Sequence, residues 1–186
     1  MREDIASIRK EYTQAELNED SILSNTFEQF EKWFNEALIS EIVEPTAMVI
    51  STVNEEGQPF QRTVLLKSFD ENGFVFYTNY ESRKARHLNH NPKVSILFPW
   101  YQLERQVAIT GSVKKISAAQ SLKYFLSRPR GSQLGAWVSN QSEIISSRSI
   151  LETKLAQMNK KFEEGKIPLP DHWGVYSIIP DSFEFW

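Results

Sequence analysis

No cysteine occurs in the 186 residues. That absence removes disulfides, thiolate metal sites and thiol catalysis together, and it fits a cytoplasmic location. A basic excess is missing too: 21 Lys and Arg face 24 Asp and Glu, for a net charge of −3. General nucleic-acid binding, which needs a cationic surface, is therefore not expected. No apolar run approaches the roughly 20 residues of a membrane span. The opening Met1-Arg2-Glu3-Asp4 lacks the apolar stretch of a secretory signal. His87, His90 and His172 show no ligand spacing with carboxylates or with one another, so no metal site is expected. Neither a Ser-His-Asp arrangement nor a Gly-rich nucleotide loop is evident.

What is present is ordinary in bulk and uneven in detail. Hydrophobic content is 40% and charged content 24%, which suits one domain with a real core. Aromatics reach 12%, enough to supply a core, an interface or a ring-shaped ligand site. Between Arg105 and Ser142 there is no acidic residue, yet Arg105, Lys114, Lys115, Lys123, Arg128 and Arg130 all fall there. A second cationic cluster lies upstream: Arg62 and Lys67, then Arg83 and Lys84. Two such clusters in an acidic chain point to specific anion sites, with phosphate the natural candidate.

Residues 1–24 are polar and read as a lead-in with a helical turn or two, Tyr12 being their one anchor-like side chain; residues 25–186 read as the domain. Phe27, Phe30, Trp33, Phe34, Ala37 and Leu38 recur at helical spacing over 26–40, with Asn25 or Thr26 as cap. Strands are expected over 47–53, 60–69 and 74–78, joined by Gly-containing turns as a meander. A short helix capped by Ser82 follows, then strands over 94–100 and 106–116, linked near Pro99. Ser117 caps a helix that stops before Arg128-Pro129. A short helical piece is expected over 134–138. A longer helix follows over 147–164, its buried side formed by Ile150, Leu151, Leu155, Met158 and Phe162. Closing strands are expected over 173–179 and 182–186. Seven short strands in meander order, with helices inserted late, predict a mainly β protein, a small antiparallel barrel.

Three constellations carry possible chemistry. In a regular strand Arg62 and Lys67 face opposite ways, so they either serve different anions or are solvated at each end; spacing alone favours the second. Ser82-Arg83-Lys84 opens a helix after Tyr77-Thr78, and helix N-termini hold phosphates well, though an ordinary Ser cap with solvated cations explains it equally. Tyr124, Arg128 and Ser132 recur every four residues and form a donor set for a second phosphate, or a packed Tyr with an Arg at a helix end. Gln106, Gln141 and Ser142 could meet a heterocycle edge, a weak signal taken alone.

Taken together, the ordered motifs Arg62-Thr-Val-Leu-Leu-Lys67, Phe76-Tyr77-Thr78-Asn79, Ser82-Arg83-Lys84, Leu97-Phe98-Pro99-Trp100, Glu104-Arg105-Gln106-Val107, Ser127-Arg128-Pro129-Arg130, Gly135-Ala136-Trp137-Val138-Ser139, Gln141-Ser142 and Phe185-Trp186 closely resemble the pyridoxamine 5′-phosphate oxidase family. The resemblance runs from about Arg9 to Trp186. It implies a Greek-key FMN-binding split β-barrel that pairs as a homodimer, with the flavin at the subunit interface. It implies that Arg62, Thr63, Val64, Leu65, Leu66, Lys67, Tyr77, Thr78, Arg83, Lys84, Gln106, Gln141, Ser142 and Trp186 line the FMN site. Arg62, Arg83 and Lys84 would meet the flavin phosphate. Lys67, Tyr124, Arg128 and Ser132 would hold the substrate phosphate, and Arg9 and Tyr12 would fold over the substrate; Lys10 departs from the family's Arg-Arg-Glu-Tyr pattern. The implied substrates are pyridoxine and pyridoxamine 5′-phosphate, oxidised at the 4′ carbon to pyridoxal 5′-phosphate with dioxygen as acceptor and hydrogen peroxide released. The family continues beyond the Phe-Trp pair with a tail bearing an Arg-Leu-His-Asp-Arg-like motif, whose Arg and His sit over the substrate ring. Catalytic residues are thus unassigned within residues 1–186, and impaired turnover is expected of those residues alone. Two alternatives stay open at this point: a silent FMN or pyridoxal phosphate carrier on the same fold, and a flavin reductase-like relative using a nicotinamide donor.

Overall fold

The chain's β-branched and aromatic runs form one antiparallel sheet, curled on itself. In the computed structural model, which describes residues 5–14 and 16–186, helix α1 (Thr26–Ile39) comes first. Strands β1 (Ala47–Val53), β2 (Pro59–Leu65), β3 (Ser68–Asp70) and β4 (Gly73–Asn79) follow. Helix α2 (Arg83–His90) leads to β5 (Lys93–Trp100) and β6 (Arg105–Lys115). Helices α3 (Ala118–Ser127), α4 (Arg130–Val138) and α5 (Arg148–Lys161) precede the final strand β7 (Trp173–Phe185). The lead-in holds one 3-10 turn, Ile5–Ser7; residues 1–4 and 15 of it lie outside the described residues.

Among the described residues seven strands are present, but two were expected in the wrong places. The strand expected over 60–69 is broken after Leu65. The Leu66 N–H donates to the Thr46 carbonyl beside β1, whereas the Lys67 N–H donates to Val75 of β4, each at 2.9 Å. The chain changes partners there, so β2 and β4 do not pair as a meander requires. The sheet order is β2-β1-β5-β6-β7-β4-β3, and the Leu66-Lys67 link joins its two edges. That link curls the sheet toward a barrel. Conversely, the two closing strands are one. β7 runs through Pro180 because its own Asp181 bulges out opposite the Thr110–Gly111 step of β6 and absorbs the irregularity. Gly111 is needed there: a Cβ would meet the Ile179 carbonyl oxygen at 2.3 Å. Pro99 lies inside β5, opposite Gln106, and the link to β6 is a 3-10 turn at Tyr101–Leu103. The β1–β5 ladder reaches only Leu97, so one side of β5 is an edge at Pro99, where a missing N–H is tolerated.

Helix α1 begins where the Asn25 side chain accepts from Phe27 N (2.8 Å) and Glu28 N (3.4 Å). It plugs the barrel with Phe30, which is fully buried and meets the rings of Phe69, Phe74 and Phe98 at centroid distances of 4.9–5.0 Å. Leu38, expected on this buried side, is instead 48% exposed at the helix end. A second apolar cluster of Phe125, Leu134, Phe162, Ile167 and Trp173 ties α3, α4 and the end of α5 to β7. Helix α4 starts four residues earlier than expected, directly after Pro129, which fits the fixed φ of proline at a helix entry. The apolar side expected on α5 is not buried: Ile150 and Leu155 are more than a third exposed, and only Phe162, just past the helix, is inside.

Candidate functional site

Where β4 ends and α2 begins, the chain presents a hydroxyl, a helix cap and an ammonium in quick succession. Ser82 caps α2 through its hydroxyl, which accepts from Ala85 N. Lys84, in the first turn, is 6% exposed. Its Nζ donates to Gln141 Oε1 at 2.8 Å and to Thr78 Oγ1 at 2.9 Å. Burial, and secondarily the charge of Arg62, lower its pKa to about 8.

Thr78, Lys84 and Gln141 form part of one wall of a cleft of about 440 Å³ between the sheet and helices α3 and α4. Thr63, Val64, Leu65, Lys67, Tyr77, Thr78, Lys84 and Gln141 line it from one side; Tyr124, Arg128 and Ser132 line it from the other. Eleven residues singled out in the sequence thus share one cavity. Tyr77 and Tyr124 stack with ring centroids 3.9 Å apart, and both phenols are raised in pKa, chiefly by burial. The Arg128 guanidinium lies 4.9 Å from the Trp173 ring centroid, a cation–π contact. Its Nη1 is buried with no hydrogen-bond partner among the described residues. Burial also disfavours its charge. Among the described residues, no carboxylate pairs with Arg62, Lys67, Arg83, Lys84 or Arg128.

Other expected site residues lie elsewhere. Arg62 and Arg83 do not line the cleft. Arg62 turns into a polar cluster with Thr52, and Arg83 lies over the Phe60 ring at 5.4 Å. Leu66 is buried in the core. Ser142, with φ of 73°, lines the adjoining cavity together with Gln141. Gln106 and Trp186 form a separate patch, each N–H donating to the other's carbonyl (2.8 and 3.0 Å). The Tyr12 ring meets Trp186 edge-on at 5.4 Å. That patch shares no lining residue with the cleft. Arg9 is exposed and donates to the Ala6 carbonyl. The segment after it is pinned by Glu104, whose carboxylate accepts from Thr13 N (2.7 Å) and Gln14 N (3.0 Å) and pairs with Lys10 (2.7 Å).

Two groups of residues escaped sequence reasoning. Trp173 was expected only as the first residue of a closing strand, yet it lines the cleft beneath Arg128. Thr52 and His87 carry no local signal and meet only because β1 packs against α2. Among the described residues, no group of three metal-ligating side chains comes together, and no helix is long and apolar enough to cross a membrane.

A site with uncompensated cations, aromatic walls and amide donors suits phosphorylated, ring-shaped ligands. Comparison with known proteins narrows the class. PhzG from Burkholderia lata, solved with tetrahydrophenazine-1-carboxylic acid, superposes with a TM-score of 0.84 at 24% identity, covering 90% of this chain and 82% of that one. A pyridoxamine 5′-phosphate oxidase-related, FMN-binding protein of Nostoc punctiforme superposes with a TM-score of 0.68 at 16% identity, covering 89% and 84%. These two likenesses establish the fold, the split barrel expected from the sequence. The chain is 55% identical over 183 residues to a pyridoxine/pyridoxamine 5′-phosphate oxidase of Crocosphaera subtropica, covering 98% of this chain and 86% of the relative. It is 52% identical to that of Pectobacterium atrosepticum, covering 98% and 81%. Residues 34–162 match the sequence model of the family described as pyridoxamine 5′-phosphate oxidase, and with relatives this similar over nearly its full length, the chain belongs to that family.

Proposed function

We propose that the protein oxidises pyridoxine 5′-phosphate and pyridoxamine 5′-phosphate to pyridoxal 5′-phosphate, with FMN as cofactor and dioxygen as acceptor, releasing hydrogen peroxide. Relatives at 50–55% identity bear the name of this oxidase. The observation that carries the reading is the pair of cation sets without counter-ions. Lys84, Arg62 and Arg83 gather at the β4–α2 junction, and Arg128 stands across the cleft with a buried, unpartnered Nη1. Leaving such groups unpaired costs stability unless an anion meets them. Two phosphate esters, one on the flavin and one on the vitamer, answer both sets.

In this reading Arg62, Arg83 and Lys84 hold the flavin phosphate. Thr63, Val64, Leu65, Leu66, Tyr77, Thr78, Gln141 and Ser142 belong to the flavin's surroundings. Lys67, Tyr124, Arg128 and Ser132 hold the substrate phosphate, with Trp173 backing Arg128. When bound, FMN would supply the two-electron acceptor for the hydride of the 4′ carbon and a route for those electrons to dioxygen. The chain's own contribution is alignment and exclusion of water. Gln106 and Trp186 lie outside the cleft, so a homodimer completes it, the Gln106–Trp186 edge of one copy closing the cleft of the other. The exposed Trp186, Ile144, Ile145, Ile150 and Leu155 provide apolar surface for that pairing. Arg9 and Tyr12, from the lead-in over 1–24, cover the substrate. The test is direct: protein reconstituted with FMN and given pyridoxine 5′-phosphate in air yields equal amounts of peroxide and pyridoxal 5′-phosphate. Stoichiometric FMN with neither product contradicts the reading.

A further inference from the structure

We propose that Thr52 and His87 form a relay that fixes the Arg62 guanidinium toward the flavin phosphate, which makes both of them positioning residues for the cofactor. The proposal rests on the phosphate role given to Arg62 above. Three elements meet in it: β1 brings Thr52, β2 brings Arg62 and α2 brings His87. Arg62 Nη1 donates to Thr52 Oγ1 at 2.6 Å, to the Phe60 carbonyl at 2.9 Å and to the Ile50 carbonyl at 3.4 Å. Thr52 Oγ1 lies 3.0 Å from His87 Nδ1. Thr52 is fully buried and His87 is 9% exposed.

The proton inventory orders these contacts. A guanidinium nitrogen can only donate, so Thr52 Oγ1 accepts from Arg62. The buried hydroxyl proton meets no other acceptor among the described residues, so we direct it to His87 Nδ1. That assigns a neutral ring with its proton on Nε2. The surroundings favour the neutral ring: burial first, then the charges of Arg62, Arg83 and Arg86, lower its pKa. Phe60 locks the same corner, its ring 5.1 Å from the His87 ring while it also carries Arg83.

The consequence is directional. Nη1 is tied inward to three protein oxygens, while Nε and Nη2 have no partner among the described residues. A guanidinium held by one nitrogen presents its remaining donors in a fixed plane, which is how arginine gains geometric selectivity for phosphate. Without the Thr52 hydroxyl, Nη1 loses its shortest contact and is left with the Phe60 and Ile50 carbonyls, so the plane is held less tightly. Without the His87 acceptor, the Thr52 rotamer is unfixed.

Binding of FMN and of riboflavin, which lacks the phosphate, to the apo-protein tests this through quenching of flavin fluorescence. Thr52→Val and His87→Leu are expected to weaken FMN about tenfold or more, the scale of a charge-assisted hydrogen bond, and to leave riboflavin within about twofold. Thr52→Ser and His87→Asn keep the hydroxyl and an acceptor at the Nδ1 position, and are expected to return FMN to within about threefold. If His87→Leu does not fold, His87→Gln, whose polar end falls at the Nε2 position, is expected to show the same loss. Unchanged FMN affinity in Thr52→Val, or equal losses for FMN and riboflavin, would overturn the relay. Arg62→Met separates the two levels. If it leaves the preference for FMN over riboflavin intact, the phosphate role of Arg62 fails. If it abolishes the preference while Thr52→Val does not, the relay alone fails.

Discussion

Lys84 and Gln141 meet on one wall of the cleft, with Nζ donating to Oε1 at 2.8 Å, and Thr78 Oγ1 donates to the same oxygen at 3.1 Å. An ammonium from the first turn of α2 is thereby held by an amide from the loop after α4, with no carboxylate beside it. Its pKa of about 8 follows from burial and from Arg62. In the apo-protein the folded state thus gives up this proton more easily than the unfolded chain. Stability contributed by Lys84 therefore rises with pH between about 8 and the ordinary lysine value. A bound phosphate reverses the shift, so FMN binding at about pH 8.5 is accompanied by proton uptake. Titration calorimetry in two buffers of different ionisation enthalpy measures this. Lys84→Arg is expected to abolish the uptake, and identical heats for the wild type in both buffers would contradict it.

In the proposed function Arg128 is the substrate-side counterpart. Its unpartnered Nη1 and its Trp173 platform predict that Arg128→Leu raises KM for pyridoxine 5′-phosphate by about 30-fold or more, the scale of losing one partner of a buried anion. Bound FMN content stays at the wild-type level. Trp173→Leu, which removes the platform and leaves the charge, has a smaller effect of the same kind. Steady-state kinetics with flavin quantification checks both; a loss of FMN in Arg128→Leu would move Arg128 to the flavin side.

Glu104 pins the lead-in. Lys10 first, then the Gln14 and Thr13 amides, hold its carboxyl below its ordinary pKa. A depressed carboxylate contributes its contact above the ordinary value and loses it as pH falls through the lowered one. Glu104→Ala is expected to speed tryptic cleavage after Lys10 several-fold with little change in Tm. Unaltered cleavage would show that the contact does not hold the segment.

Two turn glycines separate conformation from space. Gly73 has φ of 129°, and a Cβ would lie 2.2 Å from the Ile178 carbonyl oxygen, backbone of the β4–β7 ladder. Gly57 has φ of 83° in open space. Gly73→Ala is expected to cost about 3 kcal/mol or more, and Gly57→Ala about 1 kcal/mol. Urea unfolding measures the difference; equal costs would contradict the packing argument.

The hairpins were legible because Gly57 and Gly73 mark their turns, and α1 because Asn25 and the Phe30 stripe agree. The break after Leu65 was not, since Leu-Leu-Lys carries no breaker and the change of partner is set by strands far away in sequence. The same holds for β7, whose passage through Pro180 depends on a bulge at Asp181 fitted against Thr110 and Gly111 of another strand. The apolar side of α5 was read correctly as apolar but not as exposed, because periodicity does not say what covers a face. In the site, the residues that converge on the cleft were legible through motif resemblance. Trp173, Thr52 and His87 were not, because their roles arise from contacts between elements that spacing does not connect.

Anaerobic mixing of the FMN-loaded protein with pyridoxine 5′-phosphate tests the central claim most directly, because it isolates one transfer of electrons to the flavin whatever the turnover rate. The expected result is loss of the flavin's visible absorption with formation of one pyridoxal 5′-phosphate per flavin, and recovery of the colour when dioxygen is admitted. A flavin that stays oxidised under excess substrate would contradict the account.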